Sequence, residues 1–128
     1  MAHQRHYDAT QANAALPWVQ ERLARLRAAR NELNDEEARA ALTEAGPTNG
    51  GGAPGRLVSD AFLAMRSTLT ELNEMEIVLR DLDRGLIDFP SMREGREVYL
   101  CWEEGEDAVA HWHEPDAGHD GRRPLDDG

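Results

Sequence analysis

The sequence predicts an α+β fold: a long antiparallel helical hairpin, then a small antiparallel sheet of three to four strands packed on the first half of helix one. Two observations lead there. Apolar residues recur at helical intervals from Ala12 to Leu72, broken only by the stretch GPTNGGGAPG, and after Asn73 the period becomes alternating. In addition, residues 81–125 hold two of the three tryptophans, the only cysteine and three of the five histidines, so the helices read as support for this region.

With 128 residues the chain can build one hydrophobic core, and a single domain over 1–128 is expected. Residues 1–7 carry no pattern and are expected to fray, although His3 and His6 stand three apart like metal ligands. Asp8 and Gln11 match a capping box that opens helix one, spanning 8–45. Its apolar stripe runs Ala12, Leu16, Val19, Leu23, Leu26 and Leu33, with Arg30 interrupting it. Pro17 removes the bond to the Asn13 carbonyl, which predicts a bend in the first turns. Beyond Asn31 the helix reads as an exposed extension carrying Leu42.

Glycine and proline then predict a flexible loop over 46–55. Gly50, Gly52 and Gly55 fit G-x-G-x-x-G, but the dinucleotide fingerprint needs a preceding strand and a βαβ unit, which are missing. Arg56 and Leu57 occupy the places where a phosphate loop needs lysine and a hydroxyl. Helix two, over 56–75, places Ala61, Met65, Leu69 and Leu72 on one face, with Val58 and Phe62 beside them. It pairs with the late part of helix one, which leaves Ala12 to Leu26 to cover the sheet. Met65 and Met75 suit gap filling in that packing better than ligation of a soft metal.

The segments EIVLRDL, GLIDFP, EVYLCWE and AVAHWHE read as strands within 77–114. A reversal centred on Gly105 sets Trp102 opposite Ala108, Leu100 opposite Ala110 and Val98 opposite Trp112, an apolar face. A slip of one residue would set His111 and His113 against Leu100 and Val98, and is rejected. The other face then gathers Glu97, Tyr99, Cys101, His111 and His113, with His113 turned outward. Pro115 ends the last strand, and 115–128 is expected to be an irregular tail.

Composition narrows the function classes. A formal net charge of −11, from 25 acidic and 14 basic residues, disfavours nucleic acid and anionic membranes as partners. All 14 basic residues are arginine, which excludes a Schiff-base lysine and retains bidentate donors for carboxylates and phosphates. One cysteine cannot form an internal disulfide, MAHQRHYDAT lacks a signal-peptide apolar run, and no apolar stretch reaches about 18 residues. A soluble, cytoplasmic protein is expected.

Two side-chain sets carry chemistry. Cys101, His111, His113 and Glu97 share a strand face, and imidazole with thiolate suits zinc. No CxxC, HxxxH or HExxH spacing accompanies them, and the commoner reading is solvated histidines beside a buried cysteine. Asp83, Asp88, Arg96, Glu106, His113 and Arg122 could perform acid–base work on an anion clamped by arginine. The commoner reading is that Asp88 and an arginine order loops as an ion pair, with Asp83 a turn residue before Gly85. Ser59, Ser67 and Ser91 lie in no nucleophile elbow.

The stretches DLDRGLIDFP (81–90), GREVYLCW (95–102), WHE (112–114), GRRPL (121–125) and ANAALP (12–17) together resemble a bacterial family of uncharacterised proteins, domain of unknown function 2203. The resemblance covers nearly the whole chain apart from the middle of the hairpin and implies the layout above without assigning an activity. His111 and His119 depart from the family pattern, which has an aromatic residue at each. The sequence thus supports a non-catalytic protein-interaction or ligand-binding module, whose hairpin contacts a partner or a second copy through Leu42, Val58 and Leu63. The alternative is a small metal-assisted or acid–base enzyme acting on an anionic metabolite at the polar sheet face.

Overall fold

A computed structural model describes residues 3–43 and 53–125, with the side chains of 36–43 and 53–58 outside the described set. Helix α1 (Ala9–Thr43) and helix α2 (Ala53–Glu74) precede strands β1 (Val78–Asp81), β2 (Leu86–Arg93), β3 (Arg96–Glu103), β4 (His111–His113) and β5 (Arg123–Pro124). The strands form one sheet in the order β1-β2-β3-β4-β5, antiparallel throughout. The fold is therefore α+β as expected, with a fifth strand and a 3-10 turn at His119–Gly121 in the stretch read as irregular tail. That strand exists because the chain after Pro115 turns back and Arg123 pairs with Trp112.

Helix α1 starts where the capping box places it. Asp8 Oδ1 accepts from the Gln11 N–H at 2.7 Å, and the Gln11 side chain accepts from the Asp8 N–H at 2.9 Å, which satisfies two orphan donors reciprocally. The helix continues through Pro17, and Ala12, Leu16, Val19, Leu23 and Leu26 are buried in the core. Arg30 interrupts the stripe because its guanidinium pairs with Asp83 at the turn after β1. Most of the expected 46–55 loop lies outside the described residues. Ala53, Pro54 and Gly55 already belong to α2, where proline in the first turn costs no hydrogen bond.

The buried stripe of α2 differs from the expected one. Ala61, Thr68 and Leu72 are buried with Met65 partly so, whereas Leu69 and Phe62 are 44% and 58% exposed. Thr68 can occupy a core position because its hydroxyl donates to the Ala64 carbonyl at 2.7 Å, leaving only its methyl to pack. The core joins the first half of α1 to Ile87 and Phe89 of β2, Val98, Leu100 and Trp102 of β3, and Trp112 of β4. Val109 completes it, held by Asn13: its N–H donates to Asn13 Oδ1 at 2.7 Å, and Asn13 Nδ2 donates to its carbonyl at 3.3 Å.

Strands β2 and β3 meet in a two-residue turn in which Glu94 (φ 54°) and Gly95 (φ 81°) both take positive φ, the twist that tight hairpins favour. This turn sets Asp88 opposite Cys101. Between β3 and β4 the parity argued from the sequence holds, but the register moves by two residues. Leu100 lies opposite Trp112, Tyr99 opposite His113, and Cys101 opposite His111. The reversal is centred on Glu106 instead of Gly105, because Trp102 Nε1 donates to the Glu106 carbonyl at 3.1 Å and Val109 is drawn onto α1. No described helix is long and apolar enough to cross a membrane.

Candidate functional site

The sheet face opposite the apolar core carries Asp88 and Pro90 from β2, Glu97, Tyr99 and Cys101 from β3, and His111 and His113 from β4. Its histidines were expected to be solvated beside a buried Cys101, with His113 outward. Cys101 is buried, but so are Asp88 and His113.

The N-terminal segment lies along one end of this face, where residues 3–7 make defined contacts. The Tyr7 N–H donates to the Pro90 carbonyl at 2.7 Å, and the Tyr7 hydroxyl donates to the Met75 carbonyl at 2.8 Å. Glu76 accepts from the backbone N–H groups of Gln4 and Arg5. His3 and His6 bond to Glu97 Oε2 at 3.1 and 3.0 Å, and the His3 ring meets Tyr99 edge-on at 5.8 Å. Burial works against the Glu97 charge, but the hydrogen bonds from His6 and His3 outweigh it and hold the carboxyl below its ordinary value.

At the centre, His113 Nε2 lies 3.0 Å from Asp88 Oδ2, which also accepts from Arg80 Nε at 2.8 Å. Arg80 belongs to β1, whose pairing with β2 shifts register between Leu79 and Asp81, so its guanidinium reaches Asp88 and lies 5.0 Å over the Tyr99 ring. Burial opposes the Arg80 charge, yet the bond and charge of Asp88 hold it above the ordinary arginine value. The other His113 nitrogen, Nδ1, is 2.7 Å from the Glu114 carbonyl oxygen. A carbonyl only accepts, so Nδ1 carries the hydrogen there. Asp88 Oδ1 is buried without a hydrogen-bond partner, as is His111 Nδ1.

Beside Asp88 sits Cys101. Burial first, and then the charge of Asp88, push its thiol up to about 12, against the pull of Arg122. Arg122 Nη1 donates to Cys101 Sγ at 3.9 Å and to Glu106 Oε1 at 3.2 Å. Burial works against the Glu106 charge, but the Arg122 hydrogen bond holds this carboxyl below its ordinary value. Glu106 also accepts from the Glu103 N–H at 2.9 Å, tying the pair to the reversal after β3.

The structure thus brings together Asp88, His113 and Cys101, with Arg122 and Glu106 adjacent. Among the described residues, these first three form the group whose potential metal-ligating atoms lie within 4.8 Å of one another. His111 faces Cys101 across the strands, whereas Glu97 is taken by His3 and His6. Asp83 pairs with Arg30, and Arg96 pairs with Glu114 at the strand end. A cleft of about 280 Å³ opens over the site, lined among others by Arg80, Asp88, His113, Gly118 and His119. His119 Nε2 approaches Glu103 Oε1 to 3.2 Å without hydrogen-bond alignment, so this buried nitrogen remains unsatisfied.

Sequence reasoning missed Arg80 and the burial of Asp88. One signal was present: Asp88 stands between Ile87 and Phe89 in an otherwise apolar strand, and a carboxylate there must find a partner. Asp88, Cys101 and His113 each fall in one of the stretches that carry the family resemblance. No significant match to a curated protein or to a solved structure was found. The family model described as "Uncharacterized conserved protein (DUF2203)" matches residues 5–125, nearly the full chain, and the protein belongs to this uncharacterised family.

Proposed function

We propose that the protein is a non-catalytic ligand-binding module that takes a small anion into the cleft between Arg80 and His119. The observation that carries this reading is the buried Asp88–His113 pair opening onto that cleft beside an arginine whose side chain is still 41% exposed. Asp88 occupies Arg80 Nε and fixes the direction of the guanidinium, a planar donor suited to carboxylate or phosphate. Asp116 at the rim is solvent-exposed, where its opposing charge is screened.

Catalysis fits less well. Both nitrogens of His113 are engaged, by Asp88 and by the Glu114 carbonyl, so neither is presented to a substrate as acid or base. The Cys101 thiol, pushed up to about 12, is a poor nucleophile. Isothermal calorimetry with orthophosphate and with citrate tests the reading. Saturable heat is expected from at least one of them, lost in Arg80→Ala and partly retained in Arg80→Lys. Absence of heat with both anions, or equal heat with Arg80→Ala, refutes it.

A second reading is favoured by Phe62 and Leu63, each 58% exposed, with Leu69 on the same helix: a homodimer formed through α2. The side chains of Leu42 and Val58, expected in that patch, lie outside the described set. Light scattering after size exclusion decides, since a strictly monomeric mass at high micromolar concentration removes this reading.

A further inference from the structure

We propose that Asp88, Cys101 and His113 hold a divalent transition-metal ion of the zinc type at the floor of the cleft. The proposal rests on the cleft reading and names what lies beneath the anion.

Three donor types converge from three adjacent strands, all buried, with their ligating atoms within 4.8 Å of one another. In tetrahedral zinc sites, bonds of about 2.0 to 2.3 Å set ligand atoms roughly 3.3 to 3.8 Å apart, so a modest adjustment brings the group to that spacing. The tautomer of His113 matters more. With Nδ1–H directed at the Glu114 carbonyl, a neutral ring turns the lone pair of Nε2 toward Asp88 Oδ2 at 3.0 Å. Two acceptors do not stay at that distance unless a cation lies between them. A proton satisfies that one contact and leaves the buried Asp88 Oδ1 with no donor beside it but the weak S–H of Cys101. A metal ion uses the imidazole, the carboxylate and the sulfur together.

The surroundings agree with this. A ligating histidine whose second nitrogen donates to a backbone carbonyl has the outer-shell arrangement typical of metal sites. Arg80 on Asp88 and Arg122 on Cys101 stand as donors to the anionic ligands, and Arg122 shares its charge with Glu106. On binding, the Cys101 S–H bond breaks, its proton leaves to solvent, and the sulfur electron pair forms the metal–thiolate bond. Carboxylate, thiolate and neutral imidazole then balance a dication, which leaves the Arg80 guanidinium facing the cleft without its charge being needed to offset Asp88. Three protein ligands leave a fourth position for the anion.

Cobalt(II) is the direct probe, added to untagged, chelator-treated full-length protein. We expect one equivalent to bind with a thiolate-to-cobalt charge-transfer band in the near ultraviolet, displaced by zinc. Cys101 is the only thiol in the chain, so that band can have no other source. Cys101→Ser abolishes the band, and Asp88→Asn weakens zinc binding by more than about tenfold, the scale of losing even an outer-shell partner. Should either variant fail to fold, the wild-type band alone decides. Absence of cobalt binding overturns the proposal, and so does binding without the band, which would place the ion elsewhere, for instance at His3 and His6. If the band is absent while orthophosphate still binds in an Arg80-dependent way, the metal proposal falls and the cleft reading stands. If the band is present and no anion binds, the reverse holds.

Discussion

His113 Nε2 lies 3.0 Å from Asp88 Oδ2, and both side chains are buried at the cleft that Arg80 and residues 115–119 also line. The polar face of the sheet is therefore a second interior, built from ionic groups instead of hydrocarbon. This distinction sets the expected cost of changing each residue in it.

His113→Ala removes one partner from a buried pair and leaves Asp88 to Arg80 alone. The expected loss is about 1 to 3 kcal/mol, since Asp88 keeps Arg80 but loses a buried hydrogen bond, still above the roughly 0.5 kcal/mol of a solvated surface histidine. Urea unfolding followed by tryptophan fluorescence measures it. A loss below about 1 kcal/mol would mean that the pair contributes little.

Cys101 should resist alkylation in the native, metal-free protein. It is fully buried, and burial followed by the Asp88 charge pushes its thiol up to about 12. Iodoacetamide at mildly alkaline pH is expected to label the chain only after denaturant is added. Native labelling as fast as unfolded labelling contradicts the burial.

Acid should unfold the protein through its carboxylates. Burial raises Glu97 and Glu106, but hydrogen bonds from His6 and His3, and from Arg122, bring both below 4.5, while the Arg84 bond lowers Glu103. Groups depressed in the folded state stabilise it above their unfolded value near 4.5 and lose that contribution as pH falls through the folded value. Stability should therefore decline below about pH 4.5, less steeply in Glu106→Gln. A pH profile by denaturant titration checks both, and an unchanged slope in Glu106→Gln removes the Arg122 pair from the account.

Gly85 and Gly95 make a matched pair. Both have positive φ, 67° and 81°, but a Cβ on Gly85 would sit 2.5 Å from Glu104 Cβ, whereas one on Gly95 meets nothing within 4 Å. Gly95→Ala should cost only the left-handed backbone penalty of about 1 to 2 kcal/mol. Gly85→Ala should cost more, since Glu104 and its partner Arg27 must also move. Equal costs in thermal unfolding would show that the approach to Glu104 is soft.

Much of the frame was legible in the residues. The Asp8–Gln11 cap, the α1 stripe and the face parity of β3 and β4 rest on local chemistry or periodicity, which the sequence displays directly. Other features depend on tertiary contact. Parity told which residues share a face with Cys101, but not that residues 3–7 would bond to Glu97 and Pro90 on it or that Arg80 would reach Asp88. A symmetric turn at Gly105 gave the right faces and a register two residues off, because the pull of Asn13 on Val109 has no periodic signature. Leu69 was placed inward by periodicity, but Thr68 took the core position once its hydroxyl found the Ala64 carbonyl.

If the Asp88–His113 pair forms the floor of an anion-binding cleft, an orthophosphate titration followed by long-range ¹H–¹⁵N spectra of the five histidine rings will register it at His113. The expected spectrum has the His113 ring protonated at Nδ1, with its signals and those of His119 shifting in a saturable way while His3 and His6 stay still. Unmoved His113 signals, or shifts confined to His3 and His6, would contradict it.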